Sequence, residues 1–251
     1  MSIDQRRLAG IAQLAGIADV GAVIQVVLAT ESSDLAHGVS PWVSGFAVGA
    51  SDLVVIFPAR SPGYPDDTLE DVLRHEVAHV LIWRASAGRP VPRWFNEGLA
   101  MAAERDRGFE DQTQLLYQLV TGSRTTLDQL NRLFLGRQDD QTRAYALAGA
   151  LVHEVNRQHG PAACGEILLR IRQGISFDAA FTEMTGSTPD EWESRFWQRQ
   201  RIWLWVPIVT SSKTLWIVVT LLAILAIYRR RQRNRQLEEQ WANEEEDESE
   251  P

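Results

Sequence analysis

Between Leu69 and about Arg84, apolar residues recur at the spacing of one helical face: Leu69, Val72, Leu73, Val77, Val80 and Leu81. The same run carries His75-Glu76-Val77-Ala78-His79, with two histidines four positions apart. Thr68 followed by Asp71 has the form of a capping box, and Gly88 and Pro90 break the helix after it. One side of this helix must therefore face a core while the other presents two imidazoles together, and whatever the rest of the chain folds into has to accommodate both.

Side chains four apart on an α-helix project from one face, close enough for two imidazole nitrogens to take adjacent corners of one Zn²⁺ at about 2.0–2.1 Å. Glu76 sits on the same turn but is no natural third ligand; its carboxylate suits a general base acting on an attacking water. A catalytic zinc needs a third protein ligand and one open position. Glu97 is the candidate, 18 residues after His79 in the segment Trp94-Phe95-Asn96-Glu97-Gly98-Leu99-Ala100, on a helix that Pro92 is suited to open. A third histidine six residues after His79, which a metzincin-type site would need, is absent, because Ala85 stands there.

The 251 residues suffice for one medium domain with an appendage. A formal net charge of -8 argues against a nucleic-acid partner, since phosphate binding needs a concentrated basic surface. Cys164 is the sole cysteine, which excludes an intramolecular disulfide framework and a cysteine-based metal site. Three β-like runs, Val23–Ala29, Trp42–Val48 and Leu53–Phe57, precede the histidine helix, the last two separated by the turn-like Gly49–Asp52. After it, helices are expected through about Glu104 and near 111–120, 126–134, 141–158, 161–173, 177–185 and 189–204. The last of these has Thr188 as cap and Pro189 at its first position.

Arg74 to His79 and Pro92 to Ala100 together resemble the peptidase MA-like gluzincin family, in which R-H-E-x-x-H is followed after a short loop by P-x-W-F-x-E-G-L-A. A weaker resemblance runs from about Gly45 to Trp197 and includes Ala144–Val155 and Gly174–Gly186. The resemblance implies an α+β, zincin-like fold: a small mixed β-sheet packed on the H-E-x-x-H helix, then a mostly helical C-terminal subdomain. It also implies a Zn²⁺ cofactor and hydrolysis of peptide or protein substrates. Similarity to thermolysin-like enzymes implies that the strand near Trp42–Val48 is the sheet edge facing the cleft. By the same resemblance a tyrosine on a downstream helix stabilises the oxyanion, and Tyr145 is the choice, with His153 and His159 as alternatives. The chain departs from the pattern at Met101, where many relatives carry an acid that orients the first histidine, and Glu104 lies one turn further on. That departure motivates a second reading, a non-catalytic zinc-stabilised peptide-binding domain.

From Val206 to Tyr228 the chain reads as a transmembrane helix, 23 residues or about 35 Å long, interrupted at Ser211–Lys213. The arginine-rich Arg229–Arg235 follows it, which by the positive-inside rule places the tail in the cytoplasm and the preceding domain outside. The expected organisation is thus a peptidase-like domain over residues 1–204, a membrane helix over 205–228 and a basic then acidic disordered tail over 229–251. The lipid bilayer is then a second partner. The stretch Leu8–Ala29 is a poor export signal, interrupted by Gln13, Asp19 and Gln25. Either the natural start lies upstream of Met1, the preferred reading, or the chain is tail-anchored with its domain in the cytoplasm.

Overall fold

A computed structural model describes residues 11–13, 15–17, 21–61, 68–104, 124–210, 220, 228 and 229. The chain divides into two compact units, Met1–Arg199 and Gln200–Pro251. The first is a mixed α+β unit with a small sheet and a larger helical part.

The three β-like runs form one sheet, trimmed at their ends: β1 (Gln25–Leu28), β2 (Gly45–Val48) and β3 (Leu53–Ile56). A short helix, α1 (Asp34–His37), lies between β1 and β2. The order is β1-β3-β2, with β1 parallel and β2 antiparallel to β3, so β2 is an edge strand. Residues 42–44, expected to belong to that strand, do not. The carbonyls of Ser40 and Val43 bind the Arg60 guanidinium at 3.0 and 3.1 Å, which commits this backbone to a turn around the arginine. Between β2 and β3 the 3₁₀ turn Gly49–Ser51 leads to Asp52 at φ 52°, and Asp52 is fixed by Arg84 at 2.8 Å.

The histidine helix is α2 (Leu69–Ala85), and Thr68 caps it as expected, its hydroxyl accepting from the Asp71 N–H at 3.2 Å. It packs against β2 and β3 and also against α3 (Arg93–Glu104) and α6 (Ala163–Arg172), so it is buried on nearly every side. The other helices are α4 (Leu127–Leu133), α5 (Gln138–His159), α7 (Phe177–Thr185) and α8 (Pro189–Thr210). Thr188 caps α8 as expected, and Glu191 completes a capping box with it.

Two features fix α3. Trp94 and Phe95, both buried, pack edge-on against Phe177 and Phe181 of α7, which anchors the first turn. Further along, α3 lies so close to α5 that a Cβ on Gly98 would stand 2.5 Å from the Ala148 carbonyl oxygen and 2.6 Å from Val152 Cγ2. A backbone oxygen has no rotamer by which to retreat.

No helix among the described residues is long and apolar enough to cross a membrane. The expected span falls mostly on residues 211–219 and 221–227, which lie outside the described residues, as do the expected helix at 111–120 and the tail beyond Arg229.

The close approach of α3 and α5 has a measurable consequence. Gly98→Ala should destabilise the fold by about 1–3 kcal/mol through overpacking. Gly149→Ala is the control: its added Cβ would meet Met101 at an ordinary 3.4 Å, so stability should hold or rise with helix propensity. Urea denaturation midpoints of the two variants check this.

Candidate metal centre

The two histidines and Glu97 come together. His75 and His79 stand on successive turns of α2, their rings 4.9 Å apart at 82°. Glu97, one turn into α3, aims one carboxylate oxygen between them: Oε2 lies 3.5 Å from His75 Nε2 and 3.4 Å from His79 Nε2. That oxygen is buried and has no hydrogen-bond partner. The other oxygen, Oε1, faces the Arg93 Nε at 3.5 Å. The three side chains each offer one ligand atom, all within 4.8 Å of one another, and the group could hold a metal ion.

The electrostatics favour a cation there. Burial by itself would push the Glu97 carboxyl up, but the charge on His79 and the close imidazoles outweigh it and hold the group ionised well below the usual carboxylate range. Burial would push His79 down, yet the Glu97 charge and contact overcome this and raise it. An ionised, buried carboxylate oxygen between two imidazoles is an arrangement that a metal cation could complete.

Glu76 is buried beside the group without joining it. Burial raises its pKa, the charges of His79 and His75 oppose that, and the Glu97 charge adds to it. Its stem lies under the start of β2, where a Cβ on Gly45 would stand 3.1 Å from Glu76 Cγ. Tyr145 of α5 is half-buried, its ring 5.9 Å from that of His75 and 5.3 Å from that of Phe134. The alternatives on the same helix lie elsewhere: His153 is exposed, and the His159 ring packs 5.5 Å from Trp192. A cleft of about 400 Å³ opens from the ligands, lined by His79, Asn96 and Glu97 on one side and by Ala47 and Gly49, in and just after the edge strand β2, on the other. The edge strand thus borders the cleft.

Sequence reasoning missed Asn96. Its Oδ1 lies 2.9 Å from His79 Nδ1, so the amide oxygen can accept from that nitrogen and hold the ring with Nε2 directed at Glu97. Nothing in the spacing marks an asparagine for this role beyond its place next to Glu97. Met101, where an acid is expected by resemblance, is instead buried against α5 near Gly149.

Comparison of the chain with protein-family models, with curated proteins and with solved structures finds no match.

Loss of the Asn96 contact should loosen His79 without removing a ligand. Asn96→Ala is expected to weaken metal affinity by about 10- to 100-fold, while Asn96→Asp, which keeps an acceptor oxygen, retains it. Competition against a Zn²⁺ chelator measures both.

Proposed function

We propose that this chain is a zinc-dependent metallopeptidase of gluzincin type, with His75, His79 and Glu97 as ligands and Glu76 as general base. The observation that carries the reading is the spacing around Glu97 Oε2. Two donor atoms each about 2.0–2.1 Å from a tetrahedral centre stand about 3.3–3.4 Å apart. The separations of 3.5 and 3.4 Å from Oε2 to the two imidazole nitrogens match such edges. A buried acceptor without a donor, flanked by two nitrogens, is otherwise an unfavourable arrangement. Two nitrogens and one carboxylate oxygen are donors that zinc accepts, and three protein ligands leave a position open.

When bound, zinc supplies a lowered pKa for a coordinated water and polarisation of the scissile carbonyl. Glu76 does the proton work: it takes the proton from the attacking water and gives it to the leaving amine. Burial tunes its carboxylate toward this, because a raised pKa makes it a better base than an exposed glutamate. Tyr145 is the proposed oxyanion stabiliser, a choice supported by its ring lying 5.9 Å from that of His75. Asn96 fixes His79, and the edge of β2 offers unpaired main-chain groups along which an extended peptide can lie.

Anchoring to a membrane is part of the proposal and rests on the sequence: the apolar Val206–Tyr228 followed by Arg229–Arg235 supports a single span with the peptidase domain extracytoplasmic.

The deciding experiment is metal content and peptide cleavage of the chain beside its Glu76→Gln variant. Retained zinc with cleavage reduced at least about 10²-fold is the expected result. Zinc bound but no cleavage by either protein across a broad peptide library would instead favour the non-catalytic peptide-binding reading. Tyr145→Phe should keep its zinc and lose about 10²–10³-fold in kcat with little change in KM, measured by steady-state kinetics on a quenched fluorescent peptide. An unchanged kcat would remove Tyr145 from the mechanism.

A further inference from the structure

Away from the ligands, the cleft runs along β2 to two side chains that the proposed chemistry does not use, Trp83 at the end of α2 and Arg89 in the loop before α3. Trp83 is held in place yet left open. A Cβ on Gly49 would stand 2.5 Å from its Cβ and Cγ, and a Cβ on Gly88 2.9 Å from Cζ2, so the indole is fitted between two bare backbones. Even so it remains 42% exposed, on the wall of the cleft. Arg89 is exposed too, and its guanidinium lies where a side chain on Gly174 would meet it at 3.6 Å. Among the described residues no carboxylate pairs with it, as none pairs with Arg132, Arg137, Arg172 or Arg195, but Arg89 is the one arginine of the described residues that lines the cleft.

An arginine without a counter-ion, lining the same cleft as an exposed indole and as two of the three candidate ligands, His79 and Glu97, gives the cleft a positive field. Glu97 is the one acid lining it among the described residues, and that carboxylate is committed to the imidazoles. The rigid guanidinium fork matches a carboxylate with two parallel hydrogen bonds, and the indole covers the apolar stem that carries it. Building on the metallopeptidase reading, we propose that Arg89 and Trp83 form a specificity subsite for a substrate carboxylate close to the scissile bond, supplied by an acidic side chain or by the free C-terminus of the peptide.

The test uses the zinc-loaded full chain and short peptide hydroxamates, whose binding is followed by titration calorimetry and needs no turnover. One pair differs only in Glu against Gln beside the metal-binding group; a second differs only in a free against an amidated C-terminus. A preference of about tenfold or more for the carboxylate in either pair is expected, falling to near unity in Arg89→Gln. The pair that shows it identifies the source. Arg89→Glu should then favour the corresponding Lys peptide, which separates lost charge from lost folding, and Trp83→Ala should weaken both members of a pair. Hydroxamates that bind without preference, or a preference that survives Arg89→Gln, would overturn the subsite and leave the metal site standing. A chain that takes up neither zinc nor hydroxamate would overturn the metallopeptidase reading and the subsite with it.

Discussion

A carboxylate removed from water and set between two imidazoles is the interaction around which this fold is organised. Breaking a buried pair of this kind leaves an uncompensated charge and costs about 3–5 kcal/mol, so the arrangement survives only where neighbouring elements hold it closely. Three contacts do so. The aromatic cluster of Trp94, Phe95, Phe177 and Phe181 seats the first turn of α3, and Asn131 Oδ1 accepts the Trp94 N–H there at 3.3 Å. The missing side chain at Gly98 lets α3 settle onto α5. Arg93, whose guanidinium stands 5.0 Å above the Phe134 ring, turns Glu97 Oε1 outward and leaves Oε2 to the histidines.

Local signals were legible where a residue's role is decided by its near neighbours. The cap at Thr68 and the apolar period through Leu81 predict a helix whose ends lie within a residue or two of those found, and the cap at Thr188 marks the start of α8, which runs six residues past its expected end at 204. The convergence of His75, His79 and Glu97 was legible too, because a helix fixes the first two and a short loop leaves the third few places to go. Features decided by distant partners were not. Trp42–Ser44 has the composition of a strand, but Arg60, 17 residues after Val43, takes the carbonyls of Val43 and of nearby Ser40. The parallel pairing of β1 with β3 joins residues 28 apart and has no local signature. Asn96 looks like any polar helix residue until His79 is seen against it.

The site is asymmetric in a way that suits its proposed chemistry. On the helical side the ligands and Glu76 are buried and positioned by packing, which keeps the low-dielectric surroundings that strengthen charge interactions. On the sheet side the walls are an edge strand and an exposed indole, both able to receive a chain from solvent. On the proposed reading, rigid groups face the reacting atoms, and the edge strand and exposed indole face the substrate.

The two sides meet at Gly45. This first residue of β2 lies against Glu76, with Val72 Cγ1 as close to its would-be side chain, at 3.0 Å, as Glu76 Cγ is at 3.1 Å. On the proposed reading, β2 aligns the peptide by its free edge while its opening residue presses on the stem of the general base. A bulkier residue there would move strand and glutamate apart together, and with them the distance between the base and the bond it serves. Because a misplacement of about 1 Å can cost about 10²-fold in rate, the register of one short edge strand links substrate alignment to proton transfer. The α2 helix turns the histidines to Glu97 of α3 and Glu76 to the strand, and with β3 and α6 also packed on it, it is buried on nearly every side.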